Sequence, residues 1–171
     1  GPAEGPRVLA HRPTLFIESL SQGMLDVRRT VDLLASRPEV DPQHLGITGV
    51  SLGGIVAASA AGMEPRLTKA VPILAGGDIF HLLMTCRETA ALKEAIDGLS
   101  DAQRAELTKA MATVEPLEHA ATLKARAQAG NVLMINAAQD EIIPRQYTLK
   151  LADALGIADK VVWLEGLGHY T

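Results

Sequence analysis

The sequence predicts an α/β fold, a mostly parallel sheet of about four strands covered by helices on both faces, and three observations predict it. First, four short apolar runs rich in β-branched residues, 46–50, 69–75, 132–137 and 161–164, are separated by stretches of helical spacing. Runs of that kind are strands buried on both sides, as in parallel sheets. Second, the run at 46–50 passes through a single serine, Ser51, set among small residues, and at once becomes the alanine-rich segment 55–61. That is a strand, a sharp turn and a helix in succession. Third, 171 residues at 47% hydrophobic composition are enough for one domain with a single core, which the scarcity of aromatics (3%) requires to be built from Leu, Val, Ile and Ala.

Residues 1–20 read as an irregular lead-in, dense in glycine and proline as far as Pro13, and 21–171 as the folded core. Met24, Val27, Val31 and Leu34 repeat at helical spacing between Ser21 and Arg37, and Pro38 ends the pattern. The turn at 39–42 leads into the first strand. The second strand, 69–75, holds Pro72, which cannot donate to a ladder. From 79 to 129 the pattern is helical throughout. Thr85 with Glu88, and Ser100 with Gln103, have capping-box spacing, while Gly98 and Gly130 sit where helices stop. Three helices between two strands exceed what one crossover needs, so 79–129 is a candidate cap. After the strand at 132–137, Pro144 opens a helix with Tyr147, Leu151 and Leu155 toward the core and Gly156 as its stop. The last strand, 161–164, runs into the loop 165–169.

The chemistry concentrates at three of these strand ends. Gly49-Val50-Ser51-Leu52-Gly53 matches G-x-S-x-G, the nucleophile elbow, which holds a serine clear of the sheet edge. Gly49 and Gly53 are expected to be glycine because a side chain there would strike the chain crossing beneath the turn. The Leu52 amide, at the positive end of the following helix, is then a backbone donor for an oxyanion. Serine is a poor nucleophile without a base in reach, and the base needs a partner to fix its tautomer. Ligands of parallel sheets bind beyond the carboxyl ends of the strands, where Asp140 and His169 also fall. Their order, Ser51, Asp140, His169, is that of one known triad arrangement and not of the two common serine-protease folds. Asp140 competes with Glu141, read as solvated, and with Asp78 after the second strand; its D-x-x-x-P spacing ahead of a helix favours it. His11, His44, His81 and His119 fall in the lead-in, a turn and the insert and read as surface or cap residues. None is paired at i, i+4 or clustered with Cys86, itself read as buried and inert, so neither a metal nor a cofactor is predicted.

The segments 36–41, 46–54, 136–144 and 166–169 resemble the α/β-hydrolase family, in particular its bacterial acetyl-esterase and dienelactone-hydrolase-like branch. The likeness covers most of 22–169 and looks like the last four of the family's eight strands. It implies Ser51 as nucleophile, His169 as base, Asp140 as the acid of the triad and Leu52 as one oxyanion donor. Members carry four further strands ahead of the helix at Ser21, and a loop among them supplies the second oxyanion amide. The expectation is therefore a fragment or a shortened hydrolase, with Gly76-Gly77 or a partner subunit as sources of the missing amide. The implied function is a serine carboxylesterase cleaving small acyl esters through an acyl-enzyme. The alternative is a weakly active or inactive hydrolase half that serves as an assembly module. Amidases, dienelactone-type and carbon–carbon hydrolases share the triad, and the sequence does not separate them.

A formal charge of −4 with no basic run excludes a nucleic-acid surface, and no stretch is long and apolar enough to span a membrane. One cysteine precludes an internal disulfide framework, which fits a reducing, cytoplasmic setting. If the elbow strand lacks a neighbour on one side, its apolar edge invites pairing, and a homodimer through that edge is expected.

Overall fold

The computed structural model describes residues 12–171. His11 and the first part of the expected lead-in lie outside them. The remainder of that lead-in is helical: α1 runs Pro13–Ala35, with proline in the first turn, where its missing N–H costs nothing. The chain then gives β1 (Leu45–Val50), α2 (Leu52–Met63), β2 (Leu67–Ile73), α3 (Ile79–Thr85), α4 (Ala90–Asp97), α5 (Asp101–Met111), α6 (Pro116–Arg126), β3 (Ile135–Ala137), α7 (Arg145–Leu155) and β4 (Val162–Leu164). The four strands are all parallel and lie side by side in the order β1-β2-β3-β4. The four parallel strands with helices around them agree with the expected α/β architecture, while the expected helical cover is found on one face.

Pro72 fits into β2 because of where its absent donor points. Leu133 N donates to Ala70 O and Leu74 N to Ile135 O, so alternate residues of β2 face β3. Pro72 falls between them, in a stretch where pairing with β3 is reduced to single contacts at Ala70–Val132 and Ile73–Ile135. The ladder is interrupted there, where Pro72 has no N–H to give to β3.

The helices are distributed unequally. α1, α2, α6 and α7 pack in a row on one face, α1 against α2, α2 against α6 and α6 against α7. α2 is apolar all round, with Ala57, Ala58, Ala60 and Ala61 buried between sheet and helices. Small side chains let these backbones approach closely: a Cβ on Gly62 would sit 2.5 Å from that of His119 on α6. On the other face, Val50 is 57% exposed, and Leu133, Val162 and Leu164 are exposed with it. Among the described residues no helix covers that face.

The insert divides in two. α3, α4 and α5 send Leu82, Leu83, Leu92, Ile96, Leu107 and Met111 into one apolar cluster with Ile17, Leu20 and Met24 of α1 and Ile55 of α2. They form the cap, near the carboxyl ends of the strands. α6, which 79–129 had included, is the ordinary β2-to-β3 crossover helix and belongs to the covering layer. Ser100 and Gln103 make a reciprocal capping box at the start of α5. Thr85 caps nothing: it ends α3, and its hydroxyl donates back to His81 O at 2.8 Å. Gly156 stops α7 in the left-handed conformation (φ 71°), and Gly130 does the same after α6 (φ 82°), whereas Gly98 ends α4 at φ −76°, where any residue fits.

Candidate active site

β1 ends at Val50 and α2 begins at Leu52, so Ser51 alone makes the turn, at φ 56° and ψ −123°. That is a costly conformation for a residue with a side chain. It is held from both sides, by Ser51 N donating to Ile73 O at 2.9 Å and Ile55 N donating to Ser51 O at 3.0 Å. The turn also needs glycine where two backbones touch. A Cβ on Gly49 would collide with the Gly53 carbonyl, and one on Gly54 with the Ile73 carbonyl. The steric expectation for Gly53 is corrected: a Cβ there meets nothing within 4 Å, and the second required glycine is its neighbour Gly54.

The structure brings Ser51, Asp140 and His169 together from three strand ends. His169 Nε2 lies 2.8 Å from Ser51 Oγ across 118 positions of sequence. Its Nδ1 lies 2.8 Å from Asp140 Oδ2 and 3.0 Å from Oδ1. With the proton on Nδ1, the ring donates to the carboxylate and Nε2 accepts from the serine hydroxyl. Asp140 is 6% exposed, and its Oδ1 also accepts from the amides of Ile142 (2.9 Å) and Ile143 (2.7 Å), which fix the carboxylate in place.

Glu141 is exposed, as expected, and also props the loop that carries the histidine. Its Oε2 accepts from His169 N at 3.1 Å, and that amide is the leading cause holding its carboxyl below the usual range. A Cβ on Gly168 would approach the same oxygen to 2.7 Å, so the loop passes close over it. Asp78, the rival acid, is elsewhere: it pairs with Lys150 on α7, while Glu115 accepts from its amide at 2.9 Å. His44 pairs with Asp41, His81 Nδ1 lies 3.0 Å from the Tyr147 hydroxyl, and His119 Nε2 lies 2.9 Å from Thr113 O. Cys86, read as buried, is half-buried and lies between the carboxyl end of α3 and a short 3-10 turn at Arg87–Thr89. Tyr170 sets its ring edge-on to His169, centroids 5.0 Å apart, and the negative charge of Glu88 pushes its phenol pKa up.

The Leu52 amide heads α2 and has no hydrogen-bond partner among the described residues. Gly77 supplies no second donor. Gly76 packs on the Tyr147 backbone, and Gly77 N donates to Tyr147 O at 3.0 Å, so both are engaged with α7. Among the described residues no group of three His, Cys, Asp or Glu side chains is placed to hold a metal ion, and no helix is long and apolar enough to cross a membrane.

The class that this fold and arrangement define is the α/β-hydrolase one. Residues 21–166 match the model of the prolyl oligopeptidase family, to which the chain belongs. Among solved structures it is similar to the acetyl xylan esterase from Paenibacillus sp. R4 (TM-score 0.68, 19% identity, 88% of this chain and 48% of that one). It is also similar to acetyl xylan esterase 1 from Thermoanaerobacterium sp. JW/SL YS485 (0.62, 21%, 86% and 47%). The Pyrococcus horikoshii acylaminoacyl peptidase is a third neighbour (0.63, 18%, 86% and 23%). The chain thus spans about half the length of the esterases it resembles and less of the peptidase. Among curated proteins none matches.

Proposed function

We propose that the chain carries a serine hydrolase site of the carboxylesterase kind, cleaving small acyl esters through an acyl-enzyme. The observation that carries the reading is the continuous contact from Asp140 through His169 to Ser51, 2.8 Å at each end. Ser51 Oγ attacks the ester carbonyl while His169 Nε2 takes its proton, and Asp140 stabilises the imidazolium. The tetrahedral oxyanion meets the Leu52 amide. Collapse breaks the bond to the alcohol, which leaves with the proton from His169, and water repeats the sequence to free the acid and Ser51. Esters are favoured over peptides because the ester carbonyl is less stabilised by resonance and an alkoxide leaves far more readily than an amide anion. A site with one oxyanion donor therefore suffices sooner for an ester. Losing one such donor costs about 10²- to 10³-fold in turnover, so a slow enzyme is expected.

The test is labelling with a fluorophosphonate probe, alongside hydrolysis of matched p-nitrophenyl ester and p-nitroanilide substrates. Labelling that disappears in Ser51→Ala, with the ester turned over and the anilide not, supports the reading. A folded protein that takes no label counts against it.

A second reading, self-assembly, is favoured by the edge of β1. Ser51 faces β2, so the alternate residues Gly46, Thr48 and Val50 turn their N–H and C=O groups outward, where no strand pairs with them among the described residues. Two such edges related by a two-fold axis at Thr48 are complementary, Gly46 facing Val50 of the second copy. Light scattering after size-exclusion chromatography is expected to give a dimer, and a clean monomer at micromolar concentration defeats this reading.

A further inference from the structure

Beside Ser51 lies an apolar pocket of about 180 Å³ whose walls come from four separate parts of the chain. Phe16 comes from α1, Leu82 and Leu83 from the cap and Ile142 from the loop after Asp140, with Ile55 of α2 closing the wall beneath the serine. We propose that this pocket seats the acyl part of the substrate, and that the site prefers esters of apolar acids of about four to six carbons, or one aromatic ring, over acetate. The proposal rests on the reading of Ser51 as nucleophile.

Which half of the ester enters is decided by the position of the base. The leaving alcohol must depart toward His169 Nε2, which protonates it as the bond from Ser51 Oγ to the acyl carbon forms and the bond to the alcohol breaks. His169 does not line the pocket, whereas Leu52, the oxyanion donor, does. The pocket opens beside Ser51 and the oxyanion donor and is not lined by the imidazole, so the group it receives is the one that stays on the serine. Its size sets the length. A cavity of about 150 Å³ lined by Leu, Ile and Phe stays dry and takes up benzene. An acetyl methyl would leave most of this larger space empty, and its walls would go without partner atoms. Glu88 is the one charged side chain among the lining residues described, so an acyl group bearing a carboxylate is opposed rather than held.

The experiment is a kcat/KM series on the whole chain with p-nitrophenyl acetate, butyrate, hexanoate and benzoate, each normalised to the fraction that reacts with a fluorophosphonate. A methylene bound in an apolar pocket is worth about tenfold or more, so butyrate should exceed acetate by at least that factor. Leu83→Phe narrows the pocket and should move the preference back toward acetate. Phe16→Ala enlarges it from a half-buried position and should move the preference beyond hexanoate. Opposite shifts distinguish pocket volume from general damage to the fold, and the second variant serves alone if the first does not fold. A wild-type protein that labels at Ser51 yet prefers acetate, or variants that keep the wild-type profile, overturn the pocket assignment and leave the nucleophile in place. A folded protein that neither labels nor hydrolyses any of the four overturns the nucleophile reading, and the pocket assignment falls with it.

Discussion

The two flanks of Ser51 are built to different degrees. On the imidazole flank the ring is held at both nitrogens, Asp140 by two amides and the histidine loop by Glu141. On the proposed oxyanion flank, among the described residues, the Leu52 amide heads α2 beside an apolar pocket. The difference teaches that, in the proposed reading, the acid–base groups are all local to the carboxyl ends of β1, β3 and β4. In the same reading, charge stabilisation rests on the Leu52 amide. The strongest way to break this contrast is Asp140→Asn, which keeps the shape of the imidazole flank and reverses its proton logic. It is expected to lower kcat by up to about 10⁴-fold while the circular dichroism spectrum holds, and a loss of only a few-fold would show that the flank is not acting as a unit.

A middle-sized test addresses the backbone under both flanks. Gly54→Ala forces a Cβ into the Ile73 carbonyl and should destabilise the fold by about 2 to 4 kcal/mol, with the elbow displaced. Gly53→Ala enters open space in the first turn of α2 and should leave stability unchanged or raised by about 0.5 to 1 kcal/mol. Thermal melts of the pair read the difference, and equal losses would mean that the two positions are equally crowded.

The smallest effect on the site should come from the far end of α2. Glu64 caps that end, is 2% exposed, and receives Arg66 Nε at 2.8 Å and Nη2 at 2.7 Å, which lower its carboxyl pKa to about 2. Because the folded value lies below the unfolded one, this pair contributes stability at pH above the ordinary glutamate range and loses it as pH falls toward 2. About 2 to 3 kcal/mol is at stake, so Arg66→Leu should lower the melting temperature at neutral pH and flatten the acid limb of the melting curve. Per-site rates at neutral pH should stay within a few-fold of wild type, since neither flank is touched.

The strands, the elbow and the positions of Ser51, Asp140 and His169 were legible because they derive from local pattern and one topological rule. Apolar runs mark parallel strands, and the residues just past their carboxyl ends gather at one rim. The parts that were not legible depend on which chain passes over which. Gly53 and Gly54 are equivalent in the sequence until the Ile73 carbonyl is known to lie under one of them. Glu141 looks like any surface acid until the histidine loop arrives from 28 residues away. The start of α1 was obscured by Pro13, which reads as a breaker unless it occupies the first turn. The split of the insert between cap and crossover could not be seen because α5 and α6 have the same helical spacing, and only their burial partners differ.

Since the four strands are ordered in space as they are along the chain, each new βα unit during folding needs only its immediate predecessor as a template. The sheet and its helices can accumulate stepwise through short loop closures. Contact between Ser51 and His169, 118 residues apart, must wait for the last strand. Secondary structure in a refolding protein is thus expected to return ahead of reactivity toward a serine probe.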